Sequence, residues 1–209
     1  MPVKKTIFIL LSLASGICFI PGQISPAPPS PEKWVIVKGS DLQVDGATNI
    51  SRFSCEIADY CGPDTIVLNN NGIGAGRDQG VTVTGTIGLD VSGFDCHNAM
   101  MTSELRKTLK AAIFPRLYIH FLSLSRMPDP GLRKDSLKGL VEIELAGVTR
   151  RMEINYTVSA PDRKLILLTG NQQIKFSDFR LVAPRKLGGM IRTSDKLEIG
   201  FHLDMKAIN

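Results

Sequence analysis

The chain has 209 residues, 43% of them hydrophobic and 22% charged, with a formal net charge of +5. That length and balance support one domain with a sizeable core and exclude a disordered polymer. The basic residues are scattered in short runs, and two of them, Lys4 and Lys5, sit at the extreme N-terminus, so the charge is not the footprint of a nucleic-acid binder.

The N-terminus reads as a secretory signal over residues 1–23. Lys4 and Lys5 precede an almost unbroken apolar run from Ile7 to Ile20, and polar, Pro-rich sequence follows. The run is short against the roughly 20 apolar residues of a membrane span. Cys18 follows Ile17 rather than a small residue, which argues against lipid attachment there. Residues 24–33 form a Pro-rich, extended spacer, and the folded domain is expected over 34–209. The expected destination is the periplasm or the exterior.

From Trp34 onward the dominant signal is period-two alternation, the mark of strands with one buried face. Phe53, Cys55 and Ile57 share one face, with Arg52, Ser54 and Glu56 on the other. Val81, Val83, Gly85, Ile87, Leu89 and Val91 alternate with Thr82, Thr84, Thr86, Gly88 and Asp90. The same pattern runs through Val141–Ile143–Leu145, Met152–Ile154–Tyr156–Val158 and Leu197–Ile199–Phe201–Leu203. Asn69-Asn70-Asn71-Gly72, Ala146-Gly147-Val148 and Ala160-Pro161-Asp162 read as turns, the second tight enough for a hairpin. One segment differs. Over His97–Ile113, residues Met101, Leu105, Leu109, Ala112 and Ile113 make a helical stripe that Pro115 brings to an end. One helix among many strands suits a barrel with a lid, although a two-sheet sandwich shows the same alternation.

Catalytic chemistry finds little support. His97, His120 and His202 form no metal-binding spacing, and neither a CxxC pair nor a Gly-x-Ser-x-Gly elbow occurs. Gly72-Ile-Gly-Ala-Gly76 leads into a strand, not into a helix N-terminus that would hold phosphate. His97 beside Cys96 is better read as structural than as a nucleophile pair. No cofactor, metal or nucleic acid is expected.

Several stretches resemble the YceI-like family, named for a periplasmic polyisoprenoid-binding protein. They are Thr48-Asn-Ile-Ser-Arg-Phe-Ser-Cys55, similar to the family's opening strand; Val91 to Met101 with its helix and the Pro-led Phe114-Pro115-Arg-Leu-Tyr-Ile; Gly139 to Thr149; Phe176-Ser-Asp-Phe179; and Leu197 to Leu203. Two departures stand near the expected cavity: Asp95-Cys-His-Asn-Ala-Met replaces the family's Arg-Asp-x-His-Leu, and Arg180 follows Ser-Asp-Phe where Gly is common. The resemblance covers Trp34 to about Met205. It implies an all-β fold, an eight-stranded antiparallel barrel of lipocalin-like outline with one amphipathic helix, holding a long-chain amphiphilic lipid of isoprenoid or fatty-acyl type. Transient membrane contact is compatible with such a ligand.

Periodicity nominates the cavity residues: Phe53, Ile57, Val83, Ile87, Leu89, Met101, Leu105, Phe121, Val141, Ile143, Ile154, Tyr156, Ile174, Phe201 and Leu203. Small inward residues, Gly85 and Cys55, should leave room. Two rival readings remain open, a structural or interaction barrel filled by its own side chains and a small barrel enzyme. After signal removal three cysteines stay, Cys55, Cys61 and Cys96. The expected bridge is Cys55–Cys96, tying a strand to the base of the helix, with Cys61 free; Cys61 in a folded-back turn is the competing partner.

Overall fold

The computed structural model describes residues 30–60, 62, 64–69, 80–129, 132–161 and 165–208. The expected signal, most of the spacer, Cys61, Asp162 and the Gly72–Gly76 stretch lie outside them. Eleven strands and one helix are present among the described residues: β1 (Glu32–Ile36), β2 (Ser40–Thr48), β3 (Arg52–Tyr60), β4 (Thr65–Asn69), β5 (Val81–Asp90), α1 (Ala99–Thr108), β6 (Arg116–Leu124), β7 (Asp135–Leu145), β8 (Val148–Ser159), β9 (Leu165–Lys175), β10 (Arg185–Lys186) and β11 (Ile191–Ile208).

These segments make a closed antiparallel barrel of eight staves, because two staves are each broken in the middle. β1 and β2 lie end to end along one edge of β11, opposite Met205–Ile208 and Thr193–His202 respectively. β3 pairs with β2 and β4 with β1, so these also form one interrupted stave. From β4 the order runs β5, β6, β7, β8, β9 and back to β11. The chain breaks the first stave at Gly39, whose φ of 108° suits glycine alone. The ring closes through β1, paired on one side with β11 and on the other with β4, which disposes of the sandwich alternative.

Each alternating segment turns its apolar residues inward. In β5 the residues Val81, Val83, Ile87 and Leu89 are buried, and the threonines between them are exposed. The hairpin at Ala146-Gly147 is a type I′ turn, with φ of 52° and 77°. Thr48 to Cys55 is not an opening strand. Thr48–Ser51 is the turn from β2 into β3, held by the Ser51 amide donating to Thr48 Oγ1 (2.9 Å), and two strands precede it. β1 begins at Glu32, two residues ahead of Trp34.

Helix α1 is shorter than its stripe. Asn98 caps it, its Oδ1 accepting from the Met101 amide (3.1 Å). At the other end Lys110 adopts φ 56° and the Ala111 amide returns to the Arg106 carbonyl (3.0 Å), a left-handed stop ahead of Pro115. Leu105 and Leu109 are buried as the stripe requires, whereas Ala112 and Ile113 fall past the stop and are exposed, Ile113 by 72%.

α1 closes the barrel where β3 and β5 part. No pairing joins those two strands among the described residues; the segment before α1 bridges the gap instead, with Asp95 opposite Glu56. The Cys55–Cys96 disulfide locks that bridge one residue away on each side, as the sequence suggested. By the chain-entropy argument a loop of 41 residues closed this way stabilises the fold by about 4 kcal/mol. Arg106 donates from Nε and Nη2 to the Phe94 carbonyl (3.2 and 2.8 Å), and Lys186 pairs with Glu104, so both faces of the helix are tied down.

Candidate functional site

The interior is unequal along the barrel axis. In the half away from α1, side chains of Trp34, Ile36, Ile66, Leu68, Val81 and Met205 pack solidly, all at most 3% exposed. Toward α1 the packing loosens into two adjoining apolar lobes, small cavities of about 60 and 70 Å3. They share the walls Leu42, Ile119, Ile143, Ile174 and Ile199, so together they form one channel down the barrel. Phe94, Leu105 and Leu109 roof the helix-side lobe.

The floor depends on a glycine. Tyr156 and Phe201 lie opposite Gly170 on its two flanking strands, and their rings meet edge to face at 5.6 Å above it. A Cβ on Gly170 would stand 2.3 Å from Phe201 Cζ, so only glycine lets the rings lean together. Gly85 has a different role from the one expected. A Cβ there would come within 2.8 Å of the Thr65 carbonyl oxygen, so its missing side chain allows β4 to approach β5 and opens no space in the cavity. Cys55 is likewise spent on the disulfide.

Of the fifteen nominated residues, Ile87, Leu89, Phe121, Ile143 and Ile154 line the lobe farther from α1, as do Tyr156, Ile174, Phe201 and Leu203. Leu105 lines the helix-side lobe. Phe53 and Met101 border, with Leu105, a separate groove outside the barrel between α1 and the β2–β3 turn. Ile57, Val83 and Val141 are buried core and line neither lobe. The sequence reading passed over Leu42, Tyr60, Ile119 and Ile199. Ile119 and Ile199 were within reach, since each alternates with a nominated neighbour, Phe121 and Phe201. Tyr60 was not, because Asp59 at φ 52° breaks the period of β3 and brings Tyr60 inward out of phase.

Polar groups around the channel are few: Asp41, Tyr60, Tyr156 and Gln172. Burial pushes the Tyr156 phenol well above its ordinary pKa, and burial together with the adjacent Asp64 carboxylate does the same to Tyr60, which donates to Asp64. Both stay neutral across the physiological range. The Tyr156 hydroxyl makes no hydrogen bond among the described residues, which leaves it free for a ligand. The Asp41 carboxylate lies 3.5 Å from His202 Nδ1, and His202 Nε2 lies 2.9 Å from Asp204. His97 meets Glu56 at 3.3 Å and His120 shares a hydrogen bond with Thr86 (2.9 Å), so each histidine has a structural partner. No group of three metal-ligating side chains gathers among the described residues. The arrangement can bury an apolar chain and offer it a neutral hydroxyl or amide; it brings no nucleophile against a base.

No family model matches the sequence, and no curated protein matches it. Solved structures do match in fold. A polyisoprenoid binding domain from Saccharophagus degradans, implicated in plant cell wall breakdown, is 11% identical with a TM-score of 0.58, covering 84% of this chain and 98% of its own. Burkholderia cenocepacia BcnA is 16% identical with a TM-score of 0.56, covering 79% and 95%. A mutant of the Campylobacter jejuni YCEI protein is 14% identical with a TM-score of 0.51, covering 70% and 82%. At these identities the likeness is one of architecture: this chain shares the barrel fold of the polyisoprenoid binding domain and the YCEI protein, the fold that the motifs along the chain implied.

Proposed function

We propose that the protein is an exported carrier that holds the hydrocarbon chain of an amphiphilic lipid, isoprenoid or fatty-acyl, in the channel beneath α1. One observation carries the reading: the interior is packed solid in one half, while the other keeps wholly apolar space, small as it stands, between aliphatic and aromatic walls under a separate helix. A barrel that only had to be stable would fill both halves, because empty apolar space forfeits dispersion contacts. Each methylene buried would contribute roughly 0.8 kcal/mol before ordering costs, and seating a long chain requires the aliphatic walls to give way. The self-filled alternative describes the far half well and the helix half poorly. Enzyme chemistry gains no support from the channel walls, where Asp41 is the only acid and no base faces it across the void. The S. degradans neighbour supports the choice of ligand class by its description alone.

Export fits the disulfide, which persists in oxidising compartments. No helix among the described residues is long and apolar enough to cross a membrane. N-terminal sequencing of the protein recovered from its host should begin between about residues 20 and 31; an intact Met1 on the recovered protein would refute cleavage.

The binding test uses a fluorescent fatty-acyl probe and its displacement by an isoprenoid alcohol. Ile143 is a wall of both lobes, so Ile143→Trp should fill the channel and abolish uptake while far-UV dichroism stays unchanged. A wild-type chain that takes up neither compound would sink the proposal.

A further inference from the structure

The end of the barrel that carries α1 is apolar on its outside as well as its inside. Eight large hydrophobic side chains stand exposed among the described residues, and six of them, Ile50, Met100, Ile113, Val182, Leu187 and Met190, lie at this end. Those six are each 69–80% exposed; the two at the opposite end, Leu132 and Ile208, are 47% and 45%. Isolated exposed hydrophobics need no explanation, but a concentration at one pole does.

The loop Leu187–Met190 is built to project. Leu187 takes φ 50°, a conformation that bulky residues rarely adopt, and Gly188 and Gly189 follow at 65° and 94°. A Cβ on either glycine would touch nothing within 4 Å, so the tip stands clear of the barrel. Its base is anchored: Asn49 donates from Nδ2 to the Met190 carbonyl (2.9 Å) and accepts from the Arg192 amide (2.9 Å). That anchor sets the tip beside Ile50. Ile50 and Met100 in turn line the groove between the β2–β3 turn and α1, about 270 Å3, whose inner wall includes Leu105. Leu105 also borders the helix-side lobe of the channel, so one side chain stands between groove and interior.

Charge surrounds this apolar tip with one sign in excess. Residues 175–196 hold six basic side chains against two acids. The acids are engaged within the fold: Asp178 accepts from the Lys175 amide and Asp195 from the Ser177 amide and hydroxyl. Arg180, Arg185 and Arg192 are exposed and form no ion pair among the described residues.

We propose that this pole docks on an anionic lipid surface, with Leu187, Met190, Ile50 and Met100 entering the interface and Arg180, Arg185 and Arg192 meeting lipid phosphates. Apolar insertion ringed by arginine is what a bilayer carrying negative headgroups rewards, each half reinforcing the other. A water-soluble acidic protein would answer the arginines but not the projecting Leu-Gly-Gly-Met tip. Docking in this pose sets the groove, and Leu105 behind it, against the lipid from which a chain would be drawn. The inference does not depend on the channel being occupied.

Two tryptophan reporters test it on the full chain, Leu187→Trp at this pole and Leu132→Trp at the other. The only native tryptophan, Trp34, is buried and supplies a constant background. With vesicles of phosphatidylcholine and phosphatidylglycerol bearing brominated acyl chains, Leu187→Trp should be quenched several-fold more than Leu132→Trp. Replacing Arg185 and Arg192 by Glu should weaken binding to those vesicles on the order of tenfold or more. Equal quenching at both poles, or none at either, overturns the proposal, including the case in which the pole is found to bind only a protein. Probe uptake without vesicle docking would overturn docking and leave the channel reading standing; docking without uptake would do the reverse.

Discussion

The two poles of the barrel are closed by opposite means. Away from α1 the chain uses its own strands: large side chains fill the bore, and two polar groups caught there have hydrogen-bond partners. Asp135, 2% exposed, accepts two hydrogen bonds from Arg126 (2.8 and 2.5 Å) and one from the Asp129 amide (2.8 Å), and buried Ser40 accepts from the Asp204 amide (3.0 Å). At the other pole a separate helix covers small apolar cavities, held there by the buried Leu105 and Leu109, the disulfide at its foot and a few charged contacts at its edges. Packing that fills space fixes one structure; a cover clipped over space leaves the space usable. On the proposed reading, the difference assigns stability and binding to different ends of one domain.

Four experiments press on that contrast. The largest effect should come from the clip. Replacing Cys55 and Cys96 together by Ala removes about 4 kcal/mol by the loop-closure argument. Urea unfolding should show it, and the probe should leave the channel faster; a loss below about 1 kcal/mol would mean that α1 is held by its noncovalent contacts alone. Next is the sealed pole. Arg126→Met leaves Asp135 buried without its main partner and should cost about 3 kcal/mol with no effect on probe uptake. The Arg126 hydrogen bonds hold the Asp135 carboxyl below its ordinary pKa, so this contribution is complete above about pH 4 and disappears as pH falls through the lowered folded value. Asp135→Asn should flatten the acid limb of the stability profile; an unchanged limb would show that Asp135 does not titrate with unfolding.

Smaller effects sharpen the boundary between the halves. Gly170→Ala forces a methyl against the Phe201 ring and should cost roughly 1–3 kcal/mol, turning that ring into the channel and weakening probe binding in the same variant. Gly200→Ala, one position along the adjoining strand, meets nothing within 4 Å and should stay within about 0.5 kcal/mol of the parent. If the two alanines behave alike, Gly170 is not what lets the floor close.

Much of the barrel was legible because alternation reports which face of a strand is buried. It reports nothing about depth. Val141 and Ile143 carry the same signal two residues apart, yet Val141 is wholly buried and Ile143 walls both lobes. That distinction arises from how far apart the opposing staves stand, which no local window contains. β2 went unread although Leu42 and Val44 alternate, because Gly46 and the Thr48–Ser51 turn blur its end. The helix was overrun for a related reason: the stripe continues through Ile113, but a left-handed Lys110, with no glycine to announce it, stops the helix first. The disulfide was readable because Cys55 and Cys96 each sit at a junction, one on a strand face and one at the foot of the helix. Cys61 should be the thiol that alkylates under native conditions, and a linked peptide containing it would overturn that pairing.

β11 has a consequence for how the chain comes to be folded. Over 18 residues it pairs with β9 along one side and with β2 and β1 along the other, and every other strand of the barrel precedes it. A growing chain therefore cannot shut the cylinder until this last strand has been made. Until then β9 and the first stave each show an unsatisfied edge, and the contacts that close the ring span most of the sequence. Such topologies fold slowly, with a high entropic barrier to the final pairing. The delay makes the interval before closure the period of greatest exposure to aggregation.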